Sequence, residues 1–441
     1  MIPGMHKLRL KLAMLALLGC WQTLHAEDLM EIYQLALEND AQLQVAEANY
    51  LAAIQSLPQA QSGRKPQVFF NANGTRQETD DSRIGDNTTD TIGYSLNLTQ
   101  ALYDTETSGN INSAEATSRA ELARLQSVRQ AVALRVAQAY FAILAAHDNV
   151  DFAYAERTSI ARQLEQAQKR FEVGLIAITD VQEAKARFDS AEAQAILAEN
   201  VLENAYQALV VITGDPSIRN LARLEKQLDL TLPQPANPDD WVDLALKNNR
   251  DLIAAQEDLN AARYERDKRN RRGYPTVDLV ASYGDRSVDD DLLGDSDQED
   301  LTVGIELQIP LYTGGRISAE QAEAEARLVA AQNNTLLQNR LASQRSRIAF
   351  LDVVSGISQV NALKQALESS NIALEATQAG FEVGTRTSVD VLISLRETYR
   401  AQRDYASSRY DFLLNKLRLK QAAGTLTQDD LSEINRLLIH Q

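Results

Sequence analysis

The second half of this 441-residue chain repeats the first at a nearly fixed spacing. At an offset of 209, Leu35-Ala36-Leu37 with Asn39 and Leu43 matches Leu244-Ala245-Leu246 with Asn248 and Leu252. The same offset pairs Pro66 with Pro275 and Leu102-Tyr103 with Leu311-Tyr312. Farther along it becomes 210, pairing Phe171-Glu172-Val173-Gly174 with Phe381-Glu382-Val383-Gly384, Asp180-Val181 with Asp390-Val391, and Gly214 with Gly424. A spacing held over the whole chain is expected of a duplicated structural unit, not of a motif that recurs by chance. The copies are assigned to residues 27–214 and 239–425, with a proline-rich linker over 215–238 and a C-terminal segment over 426–441.

Both copies follow one order. A helical stretch, about Leu29 to Ser62 or Trp241 to Arg271, precedes two runs of alternating apolar residues. The runs read as strands near 66–76 and 91–103 in the first copy, and near 275–284 and 301–312 in the second, each pair joined by a polar loop. Next come about 65 residues of helical pattern, from near Thr105 to Phe171 and from near Ser318 to Phe381. No proline lies between Pro66 and Pro216 or after Pro310, so nothing breaks these helices, and each is on the order of 100 Å long at ~1.5 Å per residue. Leu122, Leu125, Val132, Val136, Ala139, Ile143, Ala146 and Val150 recur at three- and four-residue steps, interrupted only by Arg129, which predicts an Ala-rich coiled-coil seam. Turns over 171–180 and 381–390 join each long helix to a return helix. Gly174 and Gly384 suit a helix C-terminus, while Thr179 with Asp180, and Thr387 or Ser388 with Asp390, suit the next N-terminus.

Four strands per chain cannot close a barrel, and an open sheet leaves its edges exposed. Their length suits a tilted membrane crossing, so several chains are expected to pool strands in one barrel; three would give twelve, a number physics alone does not fix. The N-terminus is consistent with export. His6, Lys7, Arg9 and Lys11 precede the apolar run Leu12–Cys20, too short to span a bilayer, and Leu24-His25-Ala26 offers cleavage before Glu27. Leu17-Leu18-Gly19-Cys20 also resembles a lipid-attachment signal, the competing reading. The net charge of −17 becomes −20 without the leader and argues against a nucleic-acid partner, which would need a basic face. One cysteine and four histidines, two of them in the leader, leave little for metal or hydrolytic chemistry, so no catalytic residue and no cofactor is expected. Asp289-Asp290-Asp291-Leu292-Leu293-Gly294 departs from a calcium loop at its fifth position and reads as an acidic surface loop, with Asp80, Asp81, Asp86 and Asp90 as its equivalent. His147, within the first long helix, reads as a packing or surface residue.

With Val173-Gly174-Leu175, Ala177-Ile178-Thr179-Asp180, Val383-Gly384-Thr385-Arg386-Thr387 and Leu311-Tyr312-Thr313-Gly314-Gly315, this duplicated order resembles the TolC family of outer-membrane channel proteins along essentially the whole mature chain. The resemblance implies a chain that is mainly α with a small β part. It implies a homotrimer, a twelve-stranded outer-membrane barrel and a helical coiled-coil tunnel across the periplasm. It further implies a passive exit duct for drugs, other small molecules or secreted proteins, driven by an inner-membrane pump of the RND or ABC type. A periplasmic membrane-fusion adaptor would dock at the tips, on Val173, Gly174, Leu175, Val383, Gly384 and Thr385. By the same resemblance Arg386, aligned with Ile176 in the first copy, would bond Asp180 and Thr179 and hold the tunnel shut. Asp390 would form a ring of carboxylates selective for cations. Two departures from the family stand out: Ile393 replaces a second aspartate, and Phe381 replaces a tyrosine of the lock. The main alternative is a periplasmic coiled-coil adaptor or structural protein without a pore.

Overall fold

The computed structural model describes residues 26–82, 85–225, 228–291 and 294–439. The expected leader, residues 1–26, lies outside that range apart from Ala26, and so does Cys20. The chain is mainly helical, in the order α1 (Leu29–Asn39), α2 (Ala41–Ser62), β1 (Gln67–Asp81), β2 (Gly85–Tyr103), α3 (Thr105–Glu172), α4 (Ile178–Thr213) and β3 (Arg223–Leu224). It continues with α5 (Pro238–Asn248), α6 (Arg250–Asn270), β4 (Thr276–Asp290), β5 (Ser296–Gln308), α7 (Arg316–Glu382), α8 (Ser388–Ala422), α9 (Gln428–Asn435) and β6 (Leu438–Ile439).

The first helical stretch of each half is two helices, not the single one the periodicity suggests. Asp40 and Asn249 leave helical geometry, with ψ of 112° and 121°. The sequence pays attention to both breaks through side chains that restart the chain. Asp40 is buried, accepts the Leu43 N–H at 2.8 Å and pairs with Arg135 at 2.7 Å. The Asn249 carboxamide donates to the Ala422 carbonyl at 3.1 Å. Short polar side chains of this kind satisfy the backbone groups that a helix end strands.

The chain divides into two compact units. The first comprises Met1–Gln44, Ser127–Asn249 and Ala342–Gln441, and it holds the hairpin tips. Its centre is the stretch of α3 where Val132, Ala133, Leu134, Val136, Ala137, Tyr140, Phe141, Ile143 and Leu144 are all buried. The expected narrow seam is therefore, here, a helix covered nearly all round; at the seam's ends Leu122 is exposed and Val150 half-buried. Phe141 stacks on Tyr410, with ring centroids 5.6 Å apart, and the Tyr140 hydroxyl donates to the Ala222 carbonyl at 2.7 Å. Aromatics that bury their bodies and bond their polar tips fix the position of the helix along its axis as well as its packing. A two-stranded sheet of β3 and β6 and the C-terminal helix α9 complete this unit.

The second unit comprises Val45–Gln126 and Arg250–Leu341. It holds one antiparallel sheet in the order β1-β2-β4-β5, with both outer edges unpaired among the described residues. The strands are longer than their alternating runs on the loop side, because 77–81, 86–90 and 285–290 pair through the backbone although their side chains, Val288 apart, are polar. At the other end β5 stops at Gln308, short of the expected 312. Pro310 has no N–H for the ladder, and Leu311 and Tyr312 stand about nine-tenths exposed. In the helical part of this unit, small residues Ala116, Ala120 and Ala123 are buried on α3, and Arg119 reaches Glu257 of α6 at 2.9 Å.

Candidate functional site

Directly paired residues share a face of a sheet, so the register assigns each side chain of the four strands. One face carries Val68 and Phe70 of β1, then Ile92, Tyr94, Leu96 and Leu98 of β2. It continues with Leu279, Ala281 and Tyr283 of β4, and Leu301, Val303, Ile305 and Leu307 of β5. Phe70, Ile92, Leu301, Val303 and Ile305 are each exposed by two-thirds or more. Near the loop end of this field, beside Ile92, two tyrosines hold carboxylates: Tyr94 donates to Asp285 and Tyr283 to Glu299, both at 2.6 Å. The opposite face is mainly polar, with Asn71, Asn73 and Thr75, then Ser95 and Asn97, then Ser282 and Arg286, then Asp300, Thr302 and Glu306, and with Phe69, Val280 and Val288 as its large apolar members. An exposed apolar face of this extent marks a surface for contact with a membrane or another protein chain.

The tips of the two helical hairpins are built alike in their first half and differently in their second. In each, a glycine in the left-handed region, φ 77° at Gly174 and 82° at Gly384, closes the outgoing helix. The Leu175 N–H then donates to the Arg170 carbonyl at 2.9 Å, and the Thr385 N–H to the Gly380 carbonyl at 2.8 Å. These bonds satisfy carbonyls the helix end would strand. Apolar side chains project from both turns: Val173, Leu175 and Val383 are each at least 70% exposed.

At the start of the returning helix the copies part. Thr387 is the N-cap of α8: its hydroxyl accepts the Asp390 N–H at 3.2 Å, and the Asp390 carboxylate accepts the Thr387 N–H and hydroxyl, each at 2.9 Å. Ser388 is the first helical residue, so of the two expected caps Thr387 is the one used. Those bonds from Thr387, and then the nearby Arg386 charge, hold the Asp390 carboxyl below the usual range. In the first hairpin the N-cap is Ala177, which has no side-chain bond to give. Thr179 and Asp180, expected at the start of α4, are its second and third residues, and Asp180 is tied through its backbone N–H to the Ala177 carbonyl at 3.1 Å. Among the described contacts the Asp180 carboxylate makes no hydrogen bond or ion pair, and Arg386 reaches neither Asp180 nor Thr179 within one chain. Arg386 is exposed, its stem lying over bare Gly380, where an added Cβ would come 2.8 Å from the Arg386 Cγ. Ile393, one turn beyond Asp390, is 43% exposed.

The sequence gives no sign of the partner of Phe381. The Arg170 guanidinium sits over its ring, 4.2 Å from the centroid, linking the last turn of α3 to the last turn of α7. Behind the tips, Ile160, Val181, Ala184, Leu392 and Leu395 form a buried cluster that joins α3, α4 and α8. His147 lies away from this region, 3.4 Å from Asp151 and 3.3 Å from Arg223, a partly exposed polar cluster.

The sequence profile of the outer membrane efflux protein family matches residues 32–215 and again 241–425. The chain belongs to this family. It is 36% identical to the outer membrane protein TolC of Vibrio cholerae serotype O1, over 93% of each chain. To the TolC of Escherichia coli K12 it is 33% identical, over 96% of this chain and 87% of that one. Its fold is similar to that of the outer membrane channel CmeC of Campylobacter jejuni, with a TM-score of 0.80 at 18% identity, over 94% of this chain and 90% of that one. The two matched stretches of the efflux-protein profile each contain one two-strand pair and one tip, the same order seen in the elements above.

Proposed function

We propose that this protein is one subunit of a homotrimeric outer-membrane channel, the passive exit duct of a tripartite efflux or secretion system. The observation that carries the reading is the four-stranded sheet with two open edges, one apolar face and one mainly polar face. Edge strands expose a row of backbone groups ready for pairing, and among the described residues the outer edges of β1 and β5 have no partner strand. Three copies joined edge to edge give a twelve-stranded barrel with the apolar face in lipid and the polar face around water. The dimensions agree. From Ile92 to Tyr103, β2 runs about 37 Å at ~3.4 Å per residue, or about 26 Å across the membrane at a tilt near 45°. Each barrel strand pair leads into a long helix, α3 or α7, and those helices from three chains would form the periplasmic tunnel.

The hairpin tips would close the tunnel at rest and receive a periplasmic adaptor. The exposed Val173, Leu175 and Val383, on turns shaped by Gly174 and Gly384 and flanked by Thr385, are suited to a mostly apolar contact. For the lock, the difference between the copies is informative. Asp390 is occupied by its own cap, whereas Asp180 has no cap to serve because Ala177 precedes its helix. Asp180, with Thr179, is thus the available partner for Arg386, reached across a subunit boundary. Asp390, one per subunit, would form a single carboxylate ring that favours cations. Export itself draws on an inner-membrane pump, of the RND or ABC type, with no chemistry in this chain. Purified protein in planar bilayers should give discrete channels and run as heat-resistant trimers from the outer-membrane fraction. A monomer or helical adaptor without conductance would overturn the reading.

A further inference from the structure

We propose that Arg170 and Phe381 form a cation–π clasp that holds the two hairpins of one subunit together in the resting channel, and that breaking it opens the pore. The inference rests on the channel reading above. Its basis is geometric: the Arg170 guanidinium lies 4.2 Å from the Phe381 centroid, the shortest such contact among the described residues, where the others span 4.8–6.0 Å. Both residues sit on the final turns of outgoing helices, Arg170 two residues before the end of α3 and Phe381 one before the end of α7. A contact there acts where the two hairpins would swing apart. Arg170 is also fixed from below, because its carbonyl accepts the Leu175 N–H that closes the turn. A guanidinium suits this place. It is planar, weakly hydrated and always charged, so it stacks on a ring without needing a carboxylate partner, and at a helix C-terminus it also meets the favourable end of the dipole.

Phe381 has no hydroxyl, so it can be held by its face or by apolar contact, and the two are separable by substitution. Arg170→Met keeps the apolar stem and removes the charge. Phe381→Leu keeps an apolar side chain and removes the face, while Phe381→Trp keeps and strengthens it. In single-channel recordings of the full-length protein, Arg170→Met and Phe381→Leu are each expected to raise conductance at least twofold. Phe381→Trp should stay within the wild-type range. The double variant Arg170→Met with Phe381→Leu should exceed neither single variant, as expected of two residues sharing one interaction. Wild-type conductance for Arg170→Met, additive singles, or a rise with Phe381→Trp equal to that with Phe381→Leu would overturn the clasp while leaving the channel reading intact. No wild-type channels at all would instead sink the channel reading. Amide exchange of the tip provides a second measurement that needs no current: Arg170→Met should speed exchange at Leu175 and Thr385 several-fold, and unchanged rates would count against the clasp. If Arg170→Met does not assemble, Arg170→Lys should give conductance between wild type and Phe381→Leu, and wild-type conductance for the lysine variant together with unchanged amide rates would refute the idea.

Discussion

Gly214 and Gly424 occupy the same place in the two halves, each just past the end of a return helix and each left-handed, with φ of 71° and 72°. Their surroundings predict very different responses to a methyl group. At Gly214 an added Cβ meets only the Asn39 Cβ, at 3.8 Å, an ordinary contact. Gly214→Ala therefore carries the backbone cost alone, about 1–2 kcal/mol, lessened by the unfolded-state entropy that glycine would have kept. At Gly424 the same Cβ falls 2.2 Å from the Asn248 oxygen, 2.4 Å from its carbonyl carbon and 2.7 Å from the Asn249 nitrogen. All three are backbone atoms at the break between α5 and α6, so no side-chain rotation relieves the overlap. Separating the segments would break the bond from Asn249 to the Ala422 carbonyl at 3.1 Å. It would also strain those from Gln130 to the Gly424 and Leu426 carbonyls, at 3.1 and 3.2 Å. At about 1 kcal/mol each, these losses take Gly424→Ala to about 4 kcal/mol, against about 1 for Gly214→Ala. Denaturant unfolding of the detergent-solubilised protein, followed by helical circular dichroism, should show a clearly larger midpoint shift for Gly424→Ala. Asparagine separates the causes, since it tolerates a left-handed backbone but still carries a Cβ. Gly214→Asn should be nearly neutral and Gly424→Asn as damaging as alanine. Equal shifts at the two positions would refute the reasoning.

Other consequences concern the tips. Arg386→Ser should raise single-channel conductance, and unchanged conductance would remove Arg386 from the lock. Ala177→Thr should give α4 the cap it lacks, stabilising that hairpin by about 1 kcal/mol while drawing Asp180 into a capping box. The channel should become leakier although the hairpin is more stable, which recordings alongside amide exchange of residues 178–181 would detect. Asp390→Ala should weaken cation selectivity, measured as a reversal potential in a salt gradient; an unaltered potential would contradict the ring. The depressed Asp390 carboxyl also sets a pH dependence. A folded-state pKa below the ordinary 3.8 means that its stabilisation of the α8 start is present above about pH 4 and is lost as pH falls through the lower folded value. Exchange at the Asp390 amide should therefore change little, beyond its intrinsic rate, from pH 7 to pH 5, and lose protection only in more acidic solution.

How much of this could be read from the residues depends on what kind of interaction decides each feature. Alternation such as Val303-Ile305-Leu307 reports which face of a strand is apolar, and it placed the sheet. The same signal is silent where pairing is carried by backbone alone, as at Gln77–Asp81, so the strands prove longer than their apolar runs. The pairs Asn39-Asp40 and Asn248-Asn249 hold the residues that break helices, but the strong apolar rhythm around them hides the breaks. The stretch 132–144 of α3 looked like a seam because periodicity counts side chains on one helix and cannot count what wraps it. At the tips, the glycines and Thr387 were legible because caps are local in sequence. Ala177 as the uncapped start of α4 follows only from where the helix begins, and Arg170 over Phe381 joins residues more than two hundred positions apart, with no pattern to link them.

Strand pairing at the open edges tests the central claim most directly. If cleavage follows Ala26, the mature chain has no cysteine, since Cys20 is the only one in the sequence. Pairs of cysteines, one on β1 and one on β5, can then be scanned across the polar face for oxidation in intact cells. Closure by three copies predicts that a correctly registered pair crosslinks chain to chain and gives a ladder of one, two and three subunits with nothing above. Failure of every pair to link neighbouring chains, or a ladder that continues past three, would contradict the account.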